Sequence, residues 1–225
     1  MDNKEKLVNE IVDLEWEAFG EVRNEGGRTS CQDNRETFDI MRKSQYLTWT
    51  VEMLMQFKSD FEDAKRQGWN MVTEKYARMM ESNARDRYEL IKDQLPPVSA
   101  EKKGLINAIA AKQVEWMEAF AKKYPYLANQ ARAIHARDDR EYVTSYETYL
   151  KGELSTYSDK MIALYAQFIL SLNSQGLNLS ELTMMIMTAF YGYKSLEAAE
   201  NRQKYTKEAH RLTNEFMQRL GGQRL

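Results

Sequence analysis

The feature that most constrains this chain is a match to itself. Shifted by 108 positions, residues 37–71 lie without a gap over residues 145–179, so that TFDIMRKSQYLTW covers SYETYLKGELSTY and RQGWNM covers SQGLNL. Six of the 35 positions are identical: Lys43/Lys151, Thr48/Thr156, Met53/Met161, Gln67/Gln175, Gly68/Gly176 and Asn70/Asn178. Chance at ordinary residue frequencies gives roughly two. Upstream, LVNEI at 7–11 resembles LINAI at 105–109, and Glu15-Trp16 resembles Glu115-Trp116, at the different offsets of 98 and 100. The architecture expected is one unit used twice, residues 1–95 and 99–196, packed about a pseudo-twofold axis. Residues 197–225 then form a basic C-terminal helix and tail.

The repeated unit reads as helical. Ten glycines and three prolines in 225 residues leave long uninterrupted stretches, and no period-two alternation bounded by turn residues is present. Leu7, Ile11, Leu14 and Ala18 recur at helical spacing until Glu25-Gly26-Gly27 breaks the pattern. A polar loop over 26–34 leads into a helix over 35–47, which restarts at Thr48 or Thr50 and ends near Gly68. The next stretch, 72–94, falters around Ser82 and stops at Pro96-Pro97. Ser99 then caps a helix over 100–123 that Pro125 ends, and a terminal helix spans 195–220. The fold class expected is all-α, three to four helices per unit.

A chain of this length buries a core without staples. The single cysteine, Cys31, cannot close an internal disulfide, and MDNKEKLVNE lacks the apolar run of a secretory signal, so the cytoplasm is the expected compartment. No apolar run approaches the roughly 20 residues that span a bilayer, so no membrane segment is expected. A net charge of −2 and a pI near 5.9 argue against nucleic-acid binding over the whole surface. From Asn201 onward six basic residues face two acidic ones, which suits docking on an acidic body or partner.

The stretches NEGGRTSCQDNRETFDIMRKSQYLTW, TEKYARMMES and TSYETYLKGEL resemble an uncharacterised bacterial all-helical family, domain of unknown function four-one-two-five, over residues 4–200. The resemblance implies a helical fold and transfers no activity. It brings in a nucleotidyltransferase-like neighbour as a candidate partner.

Chemistry is sought where a side chain is costly to place. Phe38, Arg42 and Tyr46 share one helix face, so a guanidinium sits in an aromatic stripe; the matching places in the second unit hold Tyr146, Leu150 and Leu154. An unpartnered buried charge costs several kcal/mol, so an anion should face Arg42. At 100° per residue Glu15 falls between Val8 and Ile11 in the apolar sector of the first helix. Glu15 or Asp39 is then an internal partner, and a ligand carboxylate or phosphate is the alternative. The loop from Gly26 and Gly27 to Asp33 permits close backbone approach to an anion, or simply caps two helices. It matches neither a phosphate-binding loop nor a dinucleotide fingerprint, and no motif names a cofactor.

Cys31 lacks a neighbouring base, since only His135 and His210 exist, and neither histidine carries the Glu-x-x-His spacing of a bundle metal site. No metal site is therefore expected, the remaining option being carboxylates alone from Glu15, Glu115 and Glu147. Glu74, Lys75 and Arg78 on one turn are either a surface charge set or the far wall of a pocket. Met184, Met185 and Met187 suit a core or an adaptable partner surface.

The reading these residues support is a small-molecule-binding protein, with or without catalysis, whose pocket belongs mainly to the first unit. Arg28 and Arg42 hold an anionic group, Gln32 and Gln45 orient the ligand, Glu15 is the acid or base of any chemistry, and Tyr146 and Glu147 contribute from the second unit. Replacing Arg42 by leucine is expected to abolish binding and keep the fold. The rival reading is a helical interaction or regulatory module that uses the methionine segment and the basic tail.

Overall fold

The computed structural model describes residues 3–23 and 27–221. Gly26 lies outside the described residues. The first half runs α1 (Asn3–Glu21), α2 (Arg35–Tyr46), α3 (Val51–Arg66), α4 (Met71–Asn83) and α5 (Arg85–Ile91). The second runs α6 (Ala100–Lys123), α7 (Pro125–Ala128), α8 (Tyr146–Ser155), α9 (Asp159–Ser174), α10 (Leu179–Phe190) and α11 (Leu196–Gly221). Short 3-10 turns stand at Ser30–Asp33, Lys92–Gln94 and Ala136–Asp138. Among the described residues the only β-type pairing is an isolated bridge between Arg140 and Val143, so the chain is all-helical as expected.

Local chemistry sets most of these boundaries. Asn34, Thr50, Asn70, Ser99, Ser145, Ser158 and Asn178 each accept a hydrogen bond from the third amide of the helix they precede. Thr50, rather than Thr48, is therefore where the chain restarts as α3. The α3–α4 and α9–α10 corners use the same devices: Gln67 and Gln175 cap the first helix, Gly68 and Gly176 take φ of 72° and 68°, and an asparagine caps the second. Asn70 Nδ2 then donates to Ala18 O at 2.9 Å and Asn178 Nδ2 to Trp116 O at 2.8 Å, contacts whose acceptors stand 98 residues apart. The helix expected over 72–94 is broken at Ala84 (φ −153°, ψ 53°), where the Asn83 side chain turns away to Thr144 Oγ1 at 2.8 Å.

The packing follows a reciprocal pattern. α1 lies on α2, α3 and α4, as α6 lies on α8, α9 and α10; α4 crosses to α8, α10 crosses to α2, and α3 meets α9. The result is one continuous core drawn from both halves, with Val8, Ile11, Val12 and Leu54 beside Ile106, Leu154, Met161 and Ile162. At its centre the rings of Trp49, Phe57, Tyr157 and Tyr165 meet at centroid distances of 5.4 to 6.1 Å. A smaller cluster of Phe120, Tyr124, Leu127, Leu196 and Ala199 seats the start of α11. Glu200 fixes that seat by accepting the amides of Tyr126 and Leu127 at 2.9 and 2.8 Å, at the start of α7.

Candidate functional site

The crossing of α4 and α8 builds the site, and a glycine makes the crossing possible. A Cβ on Gly152 would stand 2.9 Å from Met79 Cγ and 3.0 Å from Lys75 O, so only a residue without one lets the helices approach this closely. The approach brings Tyr149 and Glu153 of α8 against Lys75 of α4. α1 and α2 complete the wall with Glu15 and Arg42.

Four of these groups are charged and buried: Glu15, Arg42, Lys75 and Glu153, at 3, 6, 6 and 5 % exposure. Arg42 grips Glu15 with two bonds, Nε to Oε2 at 2.7 Å and Nη2 to Oε1 at 2.6 Å. Its Nη1 donates to Gln45 Oε1 at 2.9 Å and Glu153 Oε2 at 3.1 Å, and Nη2 also reaches the Tyr46 hydroxyl at 2.5 Å. All five guanidinium N–H groups are thus used within the protein. Glu153 Oε1 accepts from Gln45 Nε2 at 2.8 Å and Tyr157 OH at 3.1 Å. Burial by itself would raise the Glu153 carboxyl, but the Arg42 and Lys75 charges outweigh it and hold the group at about 2. Tyr46, pushed well above the usual phenol range chiefly by burial, stays protonated and donates to Glu15 Oε2 at 2.6 Å.

Lys75 is bonded differently. Its Nζ donates to Tyr149 OH at 2.9 Å and lies 3.5 Å from Glu153 Oε2, and among the described residues its third N–H has no acceptor. Burial opposes its charge, yet Tyr149 and Glu153 raise it overall, so it remains an ammonium. A cavity of about 360 Å³ opens beside Lys75, Arg42 and Glu15. Phe19, Phe38, Met41 and Val72 form its apolar wall, the first two rings stacked at 5.5 Å. Half-buried Tyr76, Tyr149 and Thr37 also line the cavity, and its exposed lining residues, Ser30, Cys31, Asn34 and Arg132, mark the mouth. Lys75 Nζ and Arg132 Cζ lie 4.7 and 5.0 Å from the centroid of the same Tyr149 ring. A second hollow, about 450 Å³, lies beside Val51, Met55 and Lys160; its lining is exposed or half-buried and includes no buried charge.

Of the described residues expected at a ligand site, Glu15 and Arg42 line the cavity and the others do not. Arg28 closes its loop, donating to Asp33 Oδ1 at 2.8 Å, Gln32 O at 2.9 Å and Gly20 O at 3.2 Å. Gln32 is buried and donates to Phe19 O and Val22 O at 2.9 and 3.0 Å, satisfying carbonyls at the end of α1. Gly27 takes φ of 84° in that loop and does not line the cavity. Gln45 bridges Arg42 and Glu153 and does not line the cavity. Tyr146 OH donates to Gln113 Oε1 at 3.1 Å, and Glu147 accepts Ala136 N at 3.0 Å and Lys151 Nζ at 2.6 Å.

Arg42 and Glu15 are thus each other's partners in the cavity wall, and Glu15 also accepts from Tyr46. Asp39 pairs instead with Arg35 and Lys43. Of the turn Glu74, Lys75 and Arg78, Lys75 alone lines the cavity, while Arg78 binds Glu74 at 2.6 Å and Pro96 O at 2.7 Å. Glu153, Tyr149, Tyr76 and Arg132 went unforeseen.

Cys31 is exposed, with Sγ 3.1 Å from Thr29 Oγ1, and His135 pairs with Glu118. Among the described residues no cluster of histidine, cysteine or carboxylates is placed to hold a metal ion, and no helix is long and apolar enough to cross a membrane. Met184 and Met187 are half-buried and Met185 is exposed.

No curated protein and no solved structure matches this chain. Residues 5–201 do match the model of the family described as "Protein of unknown function (DUF4125)". That span runs from the first turn of α1 into the start of α11 and takes in every residue of the cavity, and the chain belongs to this family.

Proposed function

We propose that this protein binds a small organic anion in the cavity beside Arg42, with Lys75 as the group that receives it. The observation that carries the reading is the open third N–H of an ammonium buried in the wall of a cavity of ligand size. A buried donor left unpaired costs about 1–3 kcal/mol, more when charged, and the oxygen of a bound anion satisfies it. Arg42 and Glu15 hold the wall in place, and Arg132 meets the anion at the mouth.

The two halves are read here as diverged copies related by a pseudo-twofold axis. Exchange of α1 with α6, α2 with α8, α3 with α9 and α4 with α10 carries the set of helix packings into itself, which supports this reading. The asparagine contacts favour 98 as the offset for α1 and α6. On that correspondence Glu15, Arg42, Lys75 and Glu153 match Gln113, Leu150, Thr183 and Gln45, all uncharged. One side of the molecule is built without these ions, so the fold does not require them, and buried ions the fold can do without favour a binding role.

An interaction module is the second reading, with a nucleotidyltransferase-like protein as its partner. Exposed Met185, Phe190 and Tyr191 at the end of α10 favour it, and the half-burial of Met184 and Met187 weighs against it. An exposed thiol with no second cysteine suits a reducing, cytoplasmic compartment.

The test is native mass spectrometry of freshly purified protein beside Lys75→Met, with circular dichroism to show that the variant keeps its helices. An acidic small molecule should leave the wild type and be missing from the variant. If a folded Lys75→Met retains the same anion, the reading is wrong.

A further inference from the structure

Charge in and around the cavity is nearly balanced before any ligand arrives. Arg42 and Lys75 face Glu15 and Glu153, two cations against two carboxylates, all four buried. Arg132 is the exception. It belongs to the segment between α7 and α8, its Nη1 donates to Thr144 O at 3.3 Å, and no carboxylate pairs with it among the described residues. The site therefore presents one uncompensated positive charge. The same cavity is lined by the rings of Phe19 and Phe38, stacked 5.5 Å apart, and by Tyr76, whose ring lies 6.2 Å from Phe19.

We infer that the ligand is a small monocarboxylate with a planar apolar body, its carboxylate reaching Lys75 and Arg132 beside Tyr149 and its body against Phe19 and Phe38. This rests on the binding role proposed above and adds the charge and shape of what is bound. A single negative charge cancels Arg132. A phosphate monoester brings nearly two, and the excess stands close to Glu15 and Glu153 in a poorly solvated site, where like-charge repulsion is strong. A neutral amide leaves the buried ammonium without an anionic partner.

Cys31, the chain's single cysteine, is exposed and lines the mouth, so its alkylation reports occupancy of this cavity. The experiment measures how phenylacetate, indole-3-acetate, phenylacetamide and phenyl phosphate slow the reaction of Cys31 with N-ethylmaleimide in the full chain. Calorimetric titration of the same probes gives their affinities. The carboxylates should protect at concentrations about tenfold below those of the amide and the phosphate, the ratio expected when one charge-assisted hydrogen bond is lost. Arg132→Gln, at an exposed position, should fold normally and shrink the preference of acid over amide. Phenyl phosphate protecting as well as phenylacetate, or an acid-over-amide preference unchanged in Arg132→Gln, would overturn the ligand class and leave the cavity as a binding site. Protection by none of the four would overturn the cavity reading as well.

Discussion

A guanidinium has five N–H groups, and Arg42 finds a partner inside the protein for each of them, whereas the three N–H groups of Lys75 meet two acceptors, Tyr149 and Glu153, among the described residues. On the proposed reading that difference gives Arg42 to the framework and Lys75 to the ligand. It also makes stability depend on acid. Glu153 is held at about 2, below the ordinary 4.5, so its contribution is complete above the ordinary value and is lost as pH falls from there towards 2. Urea unfolding over this range should show a loss on the order of 3 kcal/mol in the wild type and a shallower decline in Glu153→Gln. Equal slopes would mean that Glu153 gains nothing from Arg42 and Lys75. The Glu15–Arg42 pair was legible in the sequence because each residue interrupts an apolar helix face, and such a charge must be met by another. Glu153 left no such trace, since its partner stands 111 residues away and its setting depends on how closely α4 meets α8. Arg28 and Gln32 stand outside the cavity lining for a local reason: polar residues that follow a helix first satisfy carbonyls at its end, here those of Phe19, Gly20 and Val22.

At the scale of the element, one backbone position controls the pocket. Adding a methyl group at Gly152 forces α4 and α8 apart or displaces Met79, and Lys75 and Tyr149 move with them. Gly152→Ala should lower stability by about 1–3 kcal/mol in chemical unfolding, as overpacking does elsewhere. A neutral result would show that the crossing tolerates a Cβ. Helix boundaries were read well wherever a capping side chain or a proline stood at the end, as at Asn34, Ser99 and Pro125, because those signals act within a few residues. The break falls at Ala84, two residues beyond the faltering pattern at Ser82, where a distant tie, Asn83 to Thr144, accompanies the turn out of the helix. Pro125 ends α6 and at once begins α7, a second use that periodicity alone does not reveal.

For the whole molecule, the exchange of α4 and α10 between halves means that neither half closes its own core. Residues 1–95 alone should show no cooperative thermal transition by circular dichroism; a sharp one would make the halves independent domains. The same proposed duplication supplies the most direct test of the central claim, that the buried ions serve binding rather than folding. Arg42→Leu alone strands Glu15 and weakens the hold on Glu153, and a broken buried pair costs about 3–5 kcal/mol. The fourfold variant Glu15→Gln, Arg42→Leu, Lys75→Thr and Glu153→Gln gives each position the residue of its counterpart and strands no charge. The measurement is the thermal unfolding of this variant, followed by Cys31 protection against N-ethylmaleimide in the presence of phenylacetate. The account predicts a cooperative transition near that of the wild type and no protection. A variant that does not fold, or one that folds and is still protected, would contradict it.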